Sequence, residues 1–130
     1  MLDHLHQKAA QTLASVDSVI LSSFGPADIQ TSRVACASDD LTLYVFISRS
    51  SDHLLNLEHR PEVVVAVDEW ELRGTACLLA QEDIAERIIL RDHIANAKKQ
   101  TWDCTAEIRP TCLTFHSPSG QGNIETIDFF

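Results

Sequence analysis

Hydrophobic residues enter this chain in two rhythms, one helical and one pleated, and the changes between them mark out the elements. Leu2, Leu5, Ala9, Leu13 and Val16 recur at spacings of three and four, which predicts an amphipathic packing helix. From Val19 to Phe24 the pattern becomes a run of β-branched and apolar residues. Gly25-Pro26 with Asp28 then supplies turn chemistry before a second strand from about Ile29 to Ser38, so the two predict a hairpin. Asp39-Asp40 makes the next turn, and Leu41, Leu43, Val45 and Ile47 alternate with Thr42, Tyr44 and Phe46 along a third strand. Ser50 or Ser51 is suited to cap a short helix holding Leu54, Leu55 and Leu57, which Pro61 stops because the residue before a proline avoids helical geometry. Val63 to Val67 is an unbroken apolar run, the mark of a strand covered on both faces, while Trp70, Leu72, Gly74, Ala76 and Leu78 alternate down a fifth strand. Glu82 to Lys99 predicts a longer helix, with Glu82 and Asp83 at its positive end and Lys98-Lys99 at its negative end. Two last strands follow, one around Thr105 to Ser117 with a break at Pro110 and one from Ile124 to Phe129, joined by a loop at 117–122.

Short strands separated by turns, outnumbering the helices and not alternating regularly with them, predict a mostly β fold. Its expected form is an antiparallel barrel of six or seven strands with helices packed outside. With 130 residues, 45% of them hydrophobic, the chain is expected to build one domain over 1–130. A net charge of −9 has the wrong sign for neutralising a nucleic-acid backbone or an anionic membrane, so neither is an expected partner. No run approaches the ~20 apolar residues that span a bilayer. The start, Met1-Leu2-Asp3-His4, lacks the basic and apolar blocks of a secretory signal, so a cytoplasmic location is expected. Cys36, Cys77, Cys104 and Cys112 show no C-x-x-C spacing and fall in β-like segments, as small buried thiols of a reducing compartment do.

Candidate chemistry concentrates between Ser32 and Gly74, where a β-strand runs into a helix whose start carries Ser50 and Ser51. Backbone N–H groups at a helix start, with hydroxyls and a nearby Arg, form a cradle for phosphate, so a phosphorylated cofactor is the first expectation. The histidines do not suggest a metal. His4 and His6 are two apart on a predicted helix, and His53, His59, His93 and His116 stand in no H-x-x-x-H relation. No P-loop or Gly-x-Ser-x-Gly is present.

Ser32-Arg33-Val34, Phe46-Ile47-Ser48 with Ser51-Asp52-His53, and Ile108-Arg109-Pro110-Thr111 before the last strand together resemble the FMN-binding split-barrel family of pyridoxamine 5′-phosphate oxidase-like proteins. The resemblance runs over most of the chain and is strongest from Val19 to Leu79. It implies a split β-barrel of Greek-key type, a homodimer with FMN in the cleft between subunits, and a flavin-dependent oxidoreductase with a small-molecule substrate. The family's oxidases of vitamin B6 are longer and carry extra C-terminal residues for the vitamin phosphate, so a different substrate is expected. By the same resemblance Arg33 meets the cofactor, and Val34, Ala35 and Cys36 line the flavin edge through their backbone. Phe46, Ile47, Ser48, Ser51 and His53 take the positions of the phosphate-side motif, and Trp70 that of a flavin-ring contact. Asp52 and His53 stand where the family usually has two cations. An exposed carboxylate there opposes a phosphate by ~1 kcal/mol. A protonated His53 recovers part of that loss, which predicts tighter FMN binding in mild acid.

Each of these residues also has a plainer reading. Arg33 reads as a solvated charge, Ser51 as a helix cap, Trp70 as a core or interface anchor, and Gly74 as a close approach of backbone or ligand. Two alternatives of other classes stand beside the flavoprotein. One is a heme-binding protein using an exposed histidine such as His116 as axial ligand, and the other is a cofactor-free dimer that binds another ligand.

Overall fold

Alternation of apolar and polar side chains decides the strands, and their pairing closes them on one another. A computed structural model describes residues 2–80, 103–116 and 125–129. Its elements are α1 (Leu2–Ala14), β1 (Ser18–Ser23), β2 (Gln30–Asp39), β3 (Thr42–Ser48), α2 (His53–His59), β4 (Glu62–Val67), β5 (Trp70–Leu78), β6 (Asp103–Phe115) and β7 (Glu125–Asp128). The strands pair antiparallel in the order β3-β2-β1-β4-β5-β6-β7, and a further pairing of β3 with β6 closes the first six into a barrel. Because β4 returns through α2 to lie beside β1 rather than β3, the first four strands form a Greek key. The expected helix over Glu82 to Lys99 and the loop at 117–122 lie outside the described residues.

The inward positions follow period two on every strand of the barrel. Val19 and Leu21, Val34 and Cys36, Leu43, Val45 and Ile47, Val63 and Val65, Leu72 and Ala76, and Ala106 and Ile108 all bury in one core. On α1, Ala9 and Leu13 complete it with Leu5 packed alongside, a spacing of four that the helical stripe predicts. His6 to Asp40 at 2.7 Å and Lys8 to Glu125 at 2.8 Å pin this helix to the β2–β3 turn and to β7.

Two expectations are corrected. Pro110 does not break β6, because it falls where the strand leaves β3, whose last partner is Ile108, and has not yet met β7, whose first is Cys112. On its other side the register shifts between Arg73 and Gly74, a bulge that leaves Thr111 as the extra residue. Close approach there requires glycine, since a Cβ on Gly74 would sit 2.6 Å from the Arg109 carbonyl oxygen. On α2 the buried residues are His53, Asn56 and Leu57, while Leu54 is half-buried against the core and Leu55 is exposed. Cys36 is buried as expected and Cys104 and Cys112 are half-buried, but Cys77 is exposed on β5; all four are free thiols.

Candidate functional site

Arg33 on β2 and the serines of the β3–α2 turn lie on the outer surface. Ala35 pairs with Phe46, and Arg33 and Ser48 each lie two residues from that pair, so the pleat sends both outward. Both are exposed, and Arg33 Nη1 donates to the Ser18 hydroxyl at 3.1 Å. The chain then turns sharply: the Ser51 N–H donates to the Ser48 carbonyl at 3.0 Å, and the Ser48 and Ser50 hydroxyls lie 3.0 Å apart. The cap position of α2 is Asp52, one residue later than expected, and its side chain caps nothing. Ser51 does the local work instead, its Oγ accepting from the His53 N–H at 3.1 Å.

His53 is turned inward and is only 2% exposed. Its Nδ1 lies 2.6 Å from Ser23 Oγ and its Nε2 2.9 Å from Ser32 Oγ. Ser23 Oγ also accepts from Asn56 Nδ2 at 3.1 Å, and Asn56 reaches on to the Asp28 carbonyl at 2.9 Å and the Ala27 N–H at 3.0 Å. One proton arrangement satisfies every group: Ser23 donates to Nδ1, and Nε2–H donates to the outer hydroxyl of Ser32. Burial pushes the His53 pKa below its ordinary value of 6.5, and the neighbouring Asp52 only partly offsets this. The ring is therefore a neutral strut between α2, β1 and β2 and not a cation facing a phosphate, which removes the basis for tighter FMN binding in mild acid.

The other expected site residues divide by face. Val34, Cys36, Ile47 and Trp70 send their side chains into the core, so only their backbone faces outward, while Ala35 is exposed. Phe46 lies outside the barrel core but buried with Tyr44 in a second small cluster. The Cys36 thiol is pushed up to about 12, first by burial and then by the Asp17 charge, and is no nucleophile at neutral pH. Trp70 packs beneath α1, beside a cleft lined by Lys8, Glu69 and Phe115.

Residue patterns missed a second feature. A groove of about 530 Å³ on the outer face of β4 and β5 is lined by Phe24, Arg60, Arg73, Thr75 and Thr111, with Glu62 also present. It joins a hollow of about 600 Å³ that shares Phe24 and Arg60 and adds Asp28 and Ile29. Arg60 follows α2, and no local signal ties it to Arg73 until β4 and β5 pair. Among the described residues no three His, Cys, Asp or Glu side chains form a metal-binding group, and no helix is long and apolar enough to cross a membrane.

No family model matches the chain, and no curated protein does. Solved structures do. A Clostridium acetobutylicum protein related to general stress protein 26, of the pyridoxinephosphate oxidase family, superposes with a TM-score of 0.70 at 12% identity, covering 97% of this chain and 95% of its own. A FAD-binding protein from Mesorhizobium loti gives 0.63 at 19% identity, over 82% of this chain and 88% of its own. A heme binding protein from Mycobacterium smegmatis gives 0.68 at 18% identity, over 92% of this chain but 57% of its own. The barrel closure, the Greek-key return through α2 and these likenesses together identify the fold as the split barrel of pyridoxamine 5′-phosphate oxidase-like, general stress protein 26 and FAD-binding proteins.

Proposed function

We propose that the protein is a homodimeric flavoprotein that holds FMN between its subunits and exchanges electrons with a small-molecule substrate. The observation that supports this reading is the exposed guanidinium of Arg33, bonded to the Ser18 hydroxyl on the outer face of β2, with the exposed Ser48-Arg49-Ser50 turn following β3, the strand paired with β2. That donor set fits a phosphate tail, because a guanidinium and hydroxyls offer directed hydrogen bonds to several oxygens at once. Arg33 and the exposed Arg49 supply charge on this surface, and the Ser48 and Ser50 hydroxyls supply neutral donors. Ser51, whose Oγ already accepts from the His53 N–H, keeps its own proton to give. Asp52, exposed next to Ser51, opposes a dianion and weakens the hold. When bound, the flavin itself supplies the redox chemistry, and the protein's part is binding, orientation and electrostatics. For the second subunit, Ile20, Val64 and Ala66 offer half-exposed apolar surface on the same outer face, in register across β1 and β4.

The visible spectrum of the purified protein, followed by FMN titration, tests the reading. Flavin absorption and saturable FMN binding are expected. Arg33→Ala should cost ~1–2 kcal/mol of binding, about 5- to 30-fold in Kd, as for one charge-assisted bond at a partly exposed site. Unchanged affinity removes Arg33 from the site. A heme Soret band in place of flavin absorption overturns the proposal in favour of heme binding, for which His116, exposed at the end of β6, is the candidate ligand.

A further inference from the structure

Two arginines line the β4–β5 groove, and among the described residues neither has a carboxylate closer than 4.0 Å. We infer that this groove binds a small molecule joining one anionic group, a carboxylate or phosphate, to a flat apolar body. The chain carries nineteen acidic residues against ten Lys and Arg, so guanidinium groups have ample choice of partners. Yet among the described residues Arg60 has no carboxylate within 4.0 Å, and the nearest to Arg73, that of Glu71, stands at 4.0 Å. Open guanidinium forks in one groove are suited to planar oxyanions.

The backbone that carries both arginines is fixed. The Ala76 N–H donates to the Pro61 carbonyl at 2.8 Å, which ties the segment after α2 onto β5, and the Arg60 N–H donates to the Asn56 carbonyl at 2.8 Å. Arg73 sits at the bulge, its carbonyl accepting from Thr111 Oγ1 at 3.1 Å, and bulges commonly re-aim a side chain toward a ligand. The apolar half of the ligand meets Phe24 and, beyond it, Ile29, which is 67% exposed. Glu62 and Asp28 also line the two hollows, so the local charge is balanced in a chain of net −9, and a single anionic group is favoured over a polyanion. The Arg33 corner shares no residue with the groove, but Val64 lines the groove and belongs to the face proposed for the second subunit, so FMN titration of the variants below separates this inference from the flavin reading.

The probe is 1-anilinonaphthalene-8-sulfonate, a flat apolar anion, titrated by fluorescence into the full chain. Arg60→Ala and Arg73→Ala should each weaken binding about threefold, and the double variant about tenfold, with circular dichroism unchanged. Arg109→Ala, an exposed arginine on β6 outside the groove, should leave binding as it is. Equal binding by the folded double variant, or an equal loss with Arg109→Ala, overturns the inference. So does a double variant that loses FMN affinity as much as probe affinity, because the groove would then be part of the flavin site. The Arg33→Ala titration decides that site by itself.

Discussion

At the scale of single residues, His53 carries the sharpest consequence. In its neutral Nε2–H tautomer the ring accepts from the Ser23 hydroxyl at Nδ1 and donates to Ser32 from Nε2, and an added proton would force Nδ1 to donate to Ser23. Ser23 is fully buried and its oxygen already accepts from Asn56, so its own hydroxyl hydrogen would be left without an acceptor. The folded state thus binds this proton less readily than the unfolded chain, where the imidazole has its ordinary value of 6.5. Stability from His53 is complete above that value and is lost as pH falls through it toward the lower folded value. Urea unfolding from about pH 7.5 to about pH 5.5 should show a larger loss for the natural protein than for His53→Gln. Equal losses would disprove the strut. The exposed positions of Arg33, Ser48 and Asp52 were legible from polarity alone. His53 was not, because its burial depends on Ser23 and Ser32, thirty and twenty-one positions away.

Among the elements, the β5–β6 seam shows where local pattern succeeds and where it stops. Alternation placed β3 and β5, and apolar runs and turn residues placed β1, β2 and β4, within a residue or two, because one face of each strand must be apolar to fill the barrel. The same rule reads Pro110 as an interruption. Only the partners of β6 reveal that the proline lies between two pairings and opposite a bulge, and partners are not written locally. Gly74 did carry a signal, and the backbone it admits is that of Arg109. Gly74→Ala should destabilise the fold by ~2 kcal/mol through overpacking against that carbonyl, measured as a lower urea midpoint. No change in midpoint would mean that the bulge is free to move. The buried face of α2 was not legible for a related reason: His53 and Asn56 are held by partners on β1, β2 and the turn between them.

For the whole molecule, the barrel was legible and the assembly rests on the proposal. Half-exposed Ile20, Val64 and Ala66 on one face predict a sedimenting mass twice the chain's 14.5 kDa. Ala66→Arg should halve that mass and weaken FMN binding together, because the proposed cleft needs both subunits. A monomer that binds FMN undiminished would refute the shared site.

Closure of the barrel through β3 and β6 has a consequence for synthesis. A nascent chain completes β3 by residue 48, but the strand that seals its second edge begins only at residue 103. Until the ribosome has passed that point, β3 offers a row of unpaired amides and carbonyls to any neighbouring chain, so every pause between the two strands lengthens the time during which translation products can cross-associate.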